Sequence, residues 1–430
     1  MSTPTTSSAG SLPGPQDVSR TVLPNGIILL TRANFNSPSV VIQGYLPAGC
    51  MLDPLEKLGV AHFTSLALMR GTQQHTHQQL YDLLESAGAS LGFSASVHTT
   101  GFGGRALVED LPLLLDLLNQ SMRQPVFPEE HIERLRAQLL THLAIRAQDT
   151  EDMASLAFDE IVFPNHPYGR PEDGYPGTIQ AITRADILEW HQHAFGPSGM
   201  VIVIVGAITA EQALQQVQSV FGDWRNPQQV AVPVTPQLTP LSATIRRHIP
   251  LPGKSQADLE MGMLGPRRAA PEYMAASLGN SILGQFGMMG RIGDVVREQA
   301  GLAYHASTSL NAWRDGGSWE VSAGVNPANL QKAIDLILTE LGRFIKEPVT
   351  AEELADSKAN FIGRLPLSLE SNSGVAGSLL SIERFSLGMD YLQRYPAMVQ
   401  AITREQVLAA AQTYITPDRI AIVSAGPEQL

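Results

Sequence analysis

Residues 59–72 are the most informative stretch of the chain, and they read Gly59-Val60-Ala61-His62-Phe63-Thr64-Ser65-Leu66-Ala67-Leu68-Met69-Arg70-Gly71-Thr72. The segment is predicted to form a helix, on which residues four apart share a face, so two imidazoles at that spacing can bind one metal ion. Here His62 is followed four residues later by Leu66, which has no lone pair to offer a metal. A lone histidine on an apolar helix is usually a core or interface residue.

The stretch resembles the zinc-binding helix of the insulinase-like inverzincins, which carries the motif H-x-x-E-H. In that family two His ligands lie one turn apart, and the Glu beside the second is the general base. The flanking Gly-Val-Ala-His-Phe and Arg-Gly-Thr carry the resemblance, and the five motif positions are His62, Phe63, Thr64, Ser65 and Leu66. Only the first ligand is retained. Ser65 cannot take a proton from a metal-bound water near neutral pH as a carboxylate does.

The third zinc ligand of the family is a Glu on a later helix, within a pattern of the form E-R-x-R-x-x-x-L-E-E. The corresponding residues are 133–142, which read E-R-L-R-A-Q-L-L-T-H, so Thr141 and His142 replace both final Glu residues. Two ligands and the base are therefore absent together. The resemblance is to the family's catalytically silent subunits, and it implies that this chain binds no metal.

Length and composition indicate a two-domain globular protein. The chain has 430 residues, of which 43% are hydrophobic and 16% charged, and this length exceeds what one hydrophobic core normally serves. A formal net charge of −12 argues against nucleic acid or an anionic membrane surface as a partner. The single Cys50 excludes an internal disulfide. The sequence contains no apolar run of 18 or more residues, so it predicts no transmembrane helix.

The first 16 residues are rich in Ser, Thr, Pro and Gly and lack the apolar region of a signal peptide. We interpret residues 1–17 as a flexible arm. It suits a cytoplasmic protein, or a periplasmic protein whose signal sequence has been removed. Of the two compartments, we expect the periplasm.

Local patterns in the first half predict a mixture of strands and helices. Asn25-Gly26 lies between the two apolar runs of residues 20–30, which is a hairpin signal. The further predicted elements are a strand over 40–46, a helix over 78–87, strands over 90–97 and 100–107, and a helical tract over 111–147 that is interrupted at Pro125 and Pro128.

An internal repeat indicates that one fold is used twice. The sequence Q-A-I-T-R at 180–184 recurs at 400–404, an offset of 220 residues. At the same offset Pro197 matches Pro417, and Gly206 matches Gly426 at the end of an apolar strand. The segment P-V-F-P-E-E at 125–130 is echoed by P-V-T-A-E-E at 348–353, displaced by 223. A period this long indicates two copies of a whole domain.

The segment between the copies, residues 226–244, contains four prolines and no helical periodicity, so we interpret it as a linker. The predicted domains are 18–225, with the degenerate zinc helix, and 245–430. Hairpins beside helices indicate the α+β class, with a mostly antiparallel sheet covered by helices in each domain. The resemblance implies that the two domains together form half of a clamshell.

Residues 280–304 of the second half are similar to the family segment L-G-G-x-x-x-S-R-L-x-x-x-L-R-E-x-x-G-L-A-Y. The resemblance assigns Arg297 and Tyr304 to the family's Arg and Tyr, which bind the scissile peptide and stabilise the oxyanion in trans. A phenol is a neutral donor whose hydrogen bond strengthens as charge grows on a carbonyl, and a guanidinium stays charged. The alternative is a surface ion pair of Arg297 with Glu298 or Asp294, and a core position for Tyr304. Departures from the family glycine-rich stretch are Gln285, Phe286 and Met289.

The remaining polar clusters are weaker candidates. His75 and His77, and likewise His191 and His193, are two residues apart and do not make a metal site by spacing, so we expect solvated side chains. The acidic stretch at Asp149 and 151–160 is interpreted as a solvated helix face. No Walker loop, dinucleotide-binding motif or nucleophile motif is found.

The resemblance predicts the function. We expect a metal-free subunit of a heterodimeric zinc peptidase, inactive alone, whose homologous partner carries an intact H-x-x-E-H and the zinc. The substrate would be a peptide or an unfolded protein. The alternatives are a structural or binding scaffold of the same fold, and an independent hydrolase that uses other ligands.

Overall fold

The computed structural model describes residues 12–285, 287 and 290–428. Most of the predicted N-terminal arm lies outside the described residues, as do Phe286 and Met289. The described part is built from two β-sheets, each covered by helices, and so belongs to the predicted α+β class. Within it, no helix is long and apolar enough to cross a membrane.

The first sheet has six strands in the order β1-β2-β6-β3-β5-β4. Their bounds are Ser19–Val22 (β1), Ile28–Ala33 (β2), Ser39–Leu46 (β3), Ser90–Ala95 (β4), Thr100–Leu107 (β5) and Val201–Gly206 (β6). Only β2 and β6 pair in parallel. The predicted hairpin is confirmed, because β1 and β2 pair antiparallel and Gly26 turns between them with φ of 92°.

The second sheet repeats this arrangement with five strands in the order β7-β11-β8-β10-β9. The bounds are Ile245–Pro250 (β7), Ala257–Gly265 (β8), Ala303–Ala312 (β9), Gly317–Val325 (β10) and Ala421–Gly426 (β11). Again a single pair, β7 with β11, is parallel. Strand for strand, the second sheet matches the first sheet without β1, which confirms the duplication predicted from the repeat.

Fifteen α-helices and one π-helix flank the sheets in the described residues. The helices of the first half are Val60–Ala67 (α1), His77–Ser86 (α2), Leu111–Arg123 (α3), Glu129–Arg146 (α4), Thr150–Val162 (α5), Pro176–Ala181 (α6), Arg184–Ala194 (α7) and Ala210–Phe221 (α8). Those of the second half are Tyr273–Gly284 (α9), Gly290–Gly293 (α10), the π-helix Asp294–Gln299, Leu330–Phe344 (α11), Ala351–Ser368 (α12), Asn372–Arg384 (α13), Tyr391–Ala401 (α14) and Arg404–Tyr414 (α15). Residues 226–244, all described, contain no helix or strand.

The structure explains why the two repeated motifs occur together. In the first half, Arg184 donates from Nε to the carbonyl of Phe127 at 2.7 Å and from Nη2 to that of Val126 at 2.9 Å. In the second half, Nε of Arg404 donates to the carbonyl of Val349. The arginine of the repeated Q-A-I-T-R therefore holds the loop of the repeated Pro-Val segment in both copies.

Each half contributes one helix to the other half's sheet. Helix α5 packs on β8 and β11 of the second sheet, where Phe158 and Ile161 join a core with Ala421, Val423 and Ala425. Helix α13 packs on β3 and β6 of the first sheet, where its apolar residues meet the outward face of the β6 strand. The other face of each sheet is covered by helices of its own half. The two halves are therefore joined by a reciprocal exchange of helices.

The exchange corrects one sequence interpretation. The acidic stretch at Asp149 and 151–160 is not simply a solvated face, because one side of α5 lies against the second sheet. Burial raises the pKa of Asp159 to about 8, with further contributions from Glu320 and Glu172. The apolar residues Ala154, Ala157, Phe158 and Ile161 have helical spacing, so the signal for a buried face was present in the sequence.

Candidate functional site: a degenerate zinc helix and an exposed Arg/Tyr segment

Helix α1 is held at its N-terminus by the buried carboxyl group of Asp53. Asp53 accepts hydrogen bonds from the backbone N–H groups of Gly59 at 2.9 Å and Ala61 at 3.1 Å. Gly59 has φ of 94°, a left-handed conformation that side chains other than glycine rarely adopt. Burial raises the pKa of Asp53 to about 8, against the lowering effect of these backbone bonds. The start of the helix that resembles a zinc helix is therefore firmly defined.

His62 lies near His142, one of the two positions that correspond to the third ligand, and near Asp173. Burial lowers the pKa of His62, while Asp173 raises it and His142 lowers it, so the three groups are close enough to interact. His142 is 63% exposed, and its Nε2 lies 3.6 Å from Oδ2 of Asp173. The other oxygen of Asp173 accepts a hydrogen bond from Arg146. Asp173 was not predicted from the sequence, because its position here depends on the fold and not on any spacing.

The other motif positions do not complete a metal site. Ser65 is buried, and its hydroxyl donates to the carbonyl of His62 at 2.8 Å. Leu66 packs against the core of the first half. The hydroxyl of Thr141 donates to the carbonyl of Ala137 at 2.8 Å. Within the described residues, no three His, Cys, Asp or Glu side chains are arranged to hold a metal ion. This donor set does not fit a catalytic zinc, which needs three protein ligands.

The Arg297 and Tyr304 segment lies on the second half and is accessible. Arg297 is in the π-helix, Gly301 turns the chain with φ of 64°, and Tyr304 follows in β9. The backbone N–H of Leu302 donates to the carbonyl of Val296 at 3.0 Å and closes this turn. π-Helical turns are rare in proteins, and those that occur are often found at functional sites.

The internal contacts of these two side chains are weak. Nε of Arg297 lies 3.7 Å from Oε1 of Glu298, and Asp294 is hydrogen-bonded by Gln299 instead. Tyr304 is 70% exposed, which excludes a core position for it. No hydrogen bond or ion pair among the described residues joins Arg297 or Tyr304 to His62. The structure therefore places the two predicted groups of site residues in different halves.

The sequence predicted solvated side chains for the paired histidines, but in the structure they are not all solvated. Nε2 of His191 is hydrogen-bonded to the carbonyl of Met122 at 2.9 Å, and burial lowers the pKa of His191 to about 4. His77 is bonded through Nδ1 to the carbonyl of Met69, and His75 through Nδ1 to the side chain of Gln120. These rings have structural partners, because the segments that carry them pack against neighbouring parts of the chain.

Comparisons with known proteins agree with this arrangement. Residues 29–172 match the family model described as insulinase (peptidase family M16), and residues 181–361 match the model described as the peptidase M16 inactive domain. An uncharacterized zinc protease of Streptomyces coelicolor is 23% identical over 400 residues, covering 92% of this chain and 86% of that protein. The beta subunit of the mitochondrial-processing peptidase of Saccharomyces cerevisiae is 26% identical over 372 residues, covering 82% and 79%.

Solved structures show the same fold. A peptidase M16 inactive domain from Pseudomonas fluorescens superposes with a TM-score of 0.89 at 27% identity, covering 96% of this chain and 99% of that one. A protease from Helicobacter pylori superposes with a TM-score of 0.88 at 19% identity, covering 97% and 100%. With its duplicated fold, its degenerate zinc helix and a second half that matches the model of the family's inactive domain, the chain belongs to the insulinase family, peptidase family M16.

Proposed function

We propose that this chain is the metal-free subunit of a two-chain zinc peptidase. Its partner would be a homologous chain with an intact H-x-x-E-H, which binds the zinc and supplies the general base. This chain would close the other side of the chamber as half of a clamshell. A relative whose name describes it as a subunit of a processing peptidase supports a two-chain assembly.

The observation that carries the proposal is the contrast between the two candidate regions. At the zinc helix the hydroxyl of Ser65 is already hydrogen-bonded and Leu66 packs against the core, so the positions of the base and of the second ligand have structural roles. Tyr304 is 70% exposed, and the only ion pair of Arg297 among the described residues is the 3.7 Å contact with its chain neighbour Glu298. Side chains that do little for their own fold are available to a ligand outside it.

Their chemistry suits a peptide substrate. The hydroxyl of Tyr304 would donate to the carbonyl oxygen of the scissile peptide, and its hydrogen bond would strengthen as that oxygen becomes an oxyanion. Arg297 would bind backbone carbonyls of the peptide through its planar guanidinium.

The test is reconstitution. This chain and an H-x-x-E-H homologue from the same cell are purified separately and mixed, and hydrolysis of unfolded peptides is measured. We expect chelator-sensitive activity that appears only in the mixture, together with a new complex in size-exclusion chromatography. Chelator-sensitive activity of this chain alone would favour an independent hydrolase. A complex whose activity equals that of the homologue alone would favour the scaffold alternative.

A further inference from the structure

A cavity of about 320 Å³ lies at the junction of the two halves. Its residues come from the end of β3, the 96–99 loop, the turn between β9 and β10, and the C-terminus of α13. Its lining includes charged and aromatic residues, among them Tyr45, Glu172, Trp313, Arg314, Arg384 and Phe385. We call this cavity the junction pocket. Its volume is within the range of cavities that bind small ligands.

Arg384 contributes the positive charge of the junction pocket. Its Nη2 donates to Oγ1 of Thr99 at 2.6 Å, and its guanidinium carbon lies 5.4 Å from the centre of the Tyr45 ring. Among the described residues, no carboxylate lies within 4.0 Å of this guanidinium. A guanidinium has five N–H donors, and one hydrogen bond leaves the others to solvent or to a ligand. Arginine stacked on an aromatic ring binds carboxylates in a defined plane.

The other charged groups of the pocket are accounted for. Arg314 donates to both oxygens of Asp315, at 2.9 and 2.8 Å, so its charge is compensated. Glu172 accepts a hydrogen bond from the backbone N–H of Val97 at 2.9 Å, and burial raises the pKa of this carboxyl. Burial lowers the pKa of His98 to about 4, so this ring is neutral at pH 7. Among the described residues, Arg384 is the cation of the lining that has no ion-pair partner within 4.0 Å. Glu172 is the acidic group of the lining, and its charge interacts with that of Arg384, so it opposes the binding of an anion.

The remaining lining is aromatic. Trp313 is fixed by ring contacts: its ring centre lies 4.6 Å from that of Tyr168 in a tilted arrangement and 5.7 Å from that of Phe163 in an edge contact. It is nonetheless partly exposed, and with Phe385 and Tyr45 it gives the pocket flat apolar surfaces. Aromatic surfaces of this kind stack on planar groups.

We propose that the junction pocket binds a carboxylate attached to an aromatic group, with the carboxylate paired to Arg384 and the ring placed against Trp313. The proposal goes beyond the proposed peptidase function and does not depend on it. Two sources share this chemistry: a small aromatic acid, and the C-terminal residue of a peptide that ends in an aromatic side chain.

Tryptophan fluorescence of the full chain can report the binding. Trp190, Trp224 and Trp319 are at most 7% exposed, so Trp313 is the tryptophan that a ligand can reach. The probes are 3-phenylpropionate and a tripeptide ending in Phe, each compared with its carboxamide. We expect saturable quenching by one or both acids, none by the amides, and loss of the signal in Trp313→Phe.

Two variants should change the affinity for the acids in opposite directions. Arg384→Gln removes the charge, and loss of a charge-assisted hydrogen bond should weaken binding roughly 10- to 100-fold. Glu172→Gln keeps the acceptor for Val97 but removes the opposing charge, so binding should tighten. Arg134→Gln, at an exposed arginine of α4 that does not line the pocket, is the matched control and should not change the affinity. A destabilised variant cannot bind more tightly, so Glu172→Gln separates an electrostatic effect from a loss of fold.

The outcomes decide the proposal. Binding of phenylpropionate would show that a small aromatic acid is enough to occupy the pocket. Binding of the peptide acid alone would show that the ligand is the C-terminus of a peptide. Both outcomes support the site. Equal binding of acids and amides, unchanged affinity in a folded Arg384→Gln, or no saturable binding of either acid would overturn it.

Discussion

At the scale of single residues, two ligand positions and one base decide what the zinc helix can do. Leu66 and Ser65 remove a ligand and the base, and these losses could be read directly from the sequence. The surroundings of His62 could not, because Asp173 and His142 reach it only through the folded chain. The position of Asp173 is further fixed by Arg146, a contact across 27 residues that no local pattern predicts.

The first prediction is that the isolated chain retains no stoichiometric zinc. His62 is the only motif ligand left, and a catalytic zinc needs three protein ligands. Metal analysis after dialysis against micromolar zinc is the measurement. One tightly held zinc per chain that disappears in His62→Ala would contradict the prediction.

The second prediction concerns Tyr304 in the reconstituted complex. Tyr304→Phe removes one hydrogen-bond donor and little volume at a 70% exposed site, so folding and pairing should be unchanged. Loss of one oxyanion donor typically lowers kcat by about 100- to 1000-fold. Steady-state kinetics with pairing checked by size-exclusion chromatography measures this, and Tyr81→Phe, at another exposed tyrosine, is the control. Wild-type kcat in an intact Tyr304→Phe complex would assign the chain a purely structural role.

At the scale of elements, the sequence predicted most strands and helices of the first half, but not which sheet α5 and α13 cover. The hairpin around Gly26 and the break between α3 and α4 at Pro125 and Pro128 follow from local chemistry. The transfer of α5 and α13 to the opposite sheets does not, because periodicity shows that a helix has an apolar face and not what that face meets. The same limit caused the acidic stretch of α5 to be interpreted as solvated.

The third prediction tests the contact of α5 with the second sheet. Phe158 is 1% exposed, and its ring lies so close to Gly262 that a Cβ there would be 2.9 Å from Cζ of the ring. Phe158→Ala should lower the free energy of unfolding by about 3–5 kcal/mol. Phe35→Ala, at a phenylalanine that is 65% exposed, should change it by less than about 0.5 kcal/mol. Denaturant unfolding followed by circular dichroism gives both values, and a similar small loss in each variant would disprove the buried contact.

The fourth prediction is a pH dependence at the same interface. The pKa of Asp159 is raised from an ordinary value of 3.8 to about 8 in the folded chain, chiefly by burial. Between these values the folded chain holds a proton that the unfolded chain releases, so this group's contribution to stability is lost as the pH rises through about 8. The buried carboxyls of Glu260 and Glu320 face the same interface, and their pKa values are also raised by burial.

Asp159→Asn should therefore lose less stability than the wild type between pH 5 and pH 8.5. The measurement is Tm across this range. Asp152→Asn changes an exposed carboxylate on the same helix, and its Tm should follow that of the wild type. Parallel Tm curves for Asp159→Asn and the wild type would show that Asp159 does not titrate with the fold.

At the scale of the whole molecule, the two halves are covalently joined by a segment without regular structure and noncovalently joined by two exchanged helices. Val234 in that segment is 97% exposed, while the apolar face of β6 is buried under α13 and that of β11 under α5. The exchange, and not the linker, should therefore hold the halves together. The sequence repeat predicted two copies of a fold, and we expect the helix exchange to make them one cooperative unit.

The fifth prediction is that the linker can be cut without separating the halves. A specific protease site inserted at Val234 should be cleaved readily, because exposed segments without regular structure are the usual sites of proteolysis. After cleavage the two pieces should coelute in size-exclusion chromatography with a single unfolding transition, since α5 and α13 remain packed on the opposite sheets. Each piece expressed alone should aggregate or stay unfolded, because Val201, Val203 and Val205, or the equivalent residues of β11, would lose their cover. Two soluble pieces that fold separately and do not associate would mean that the exchanged helices contribute little, and that each sheet is stable with the helices of its own half alone.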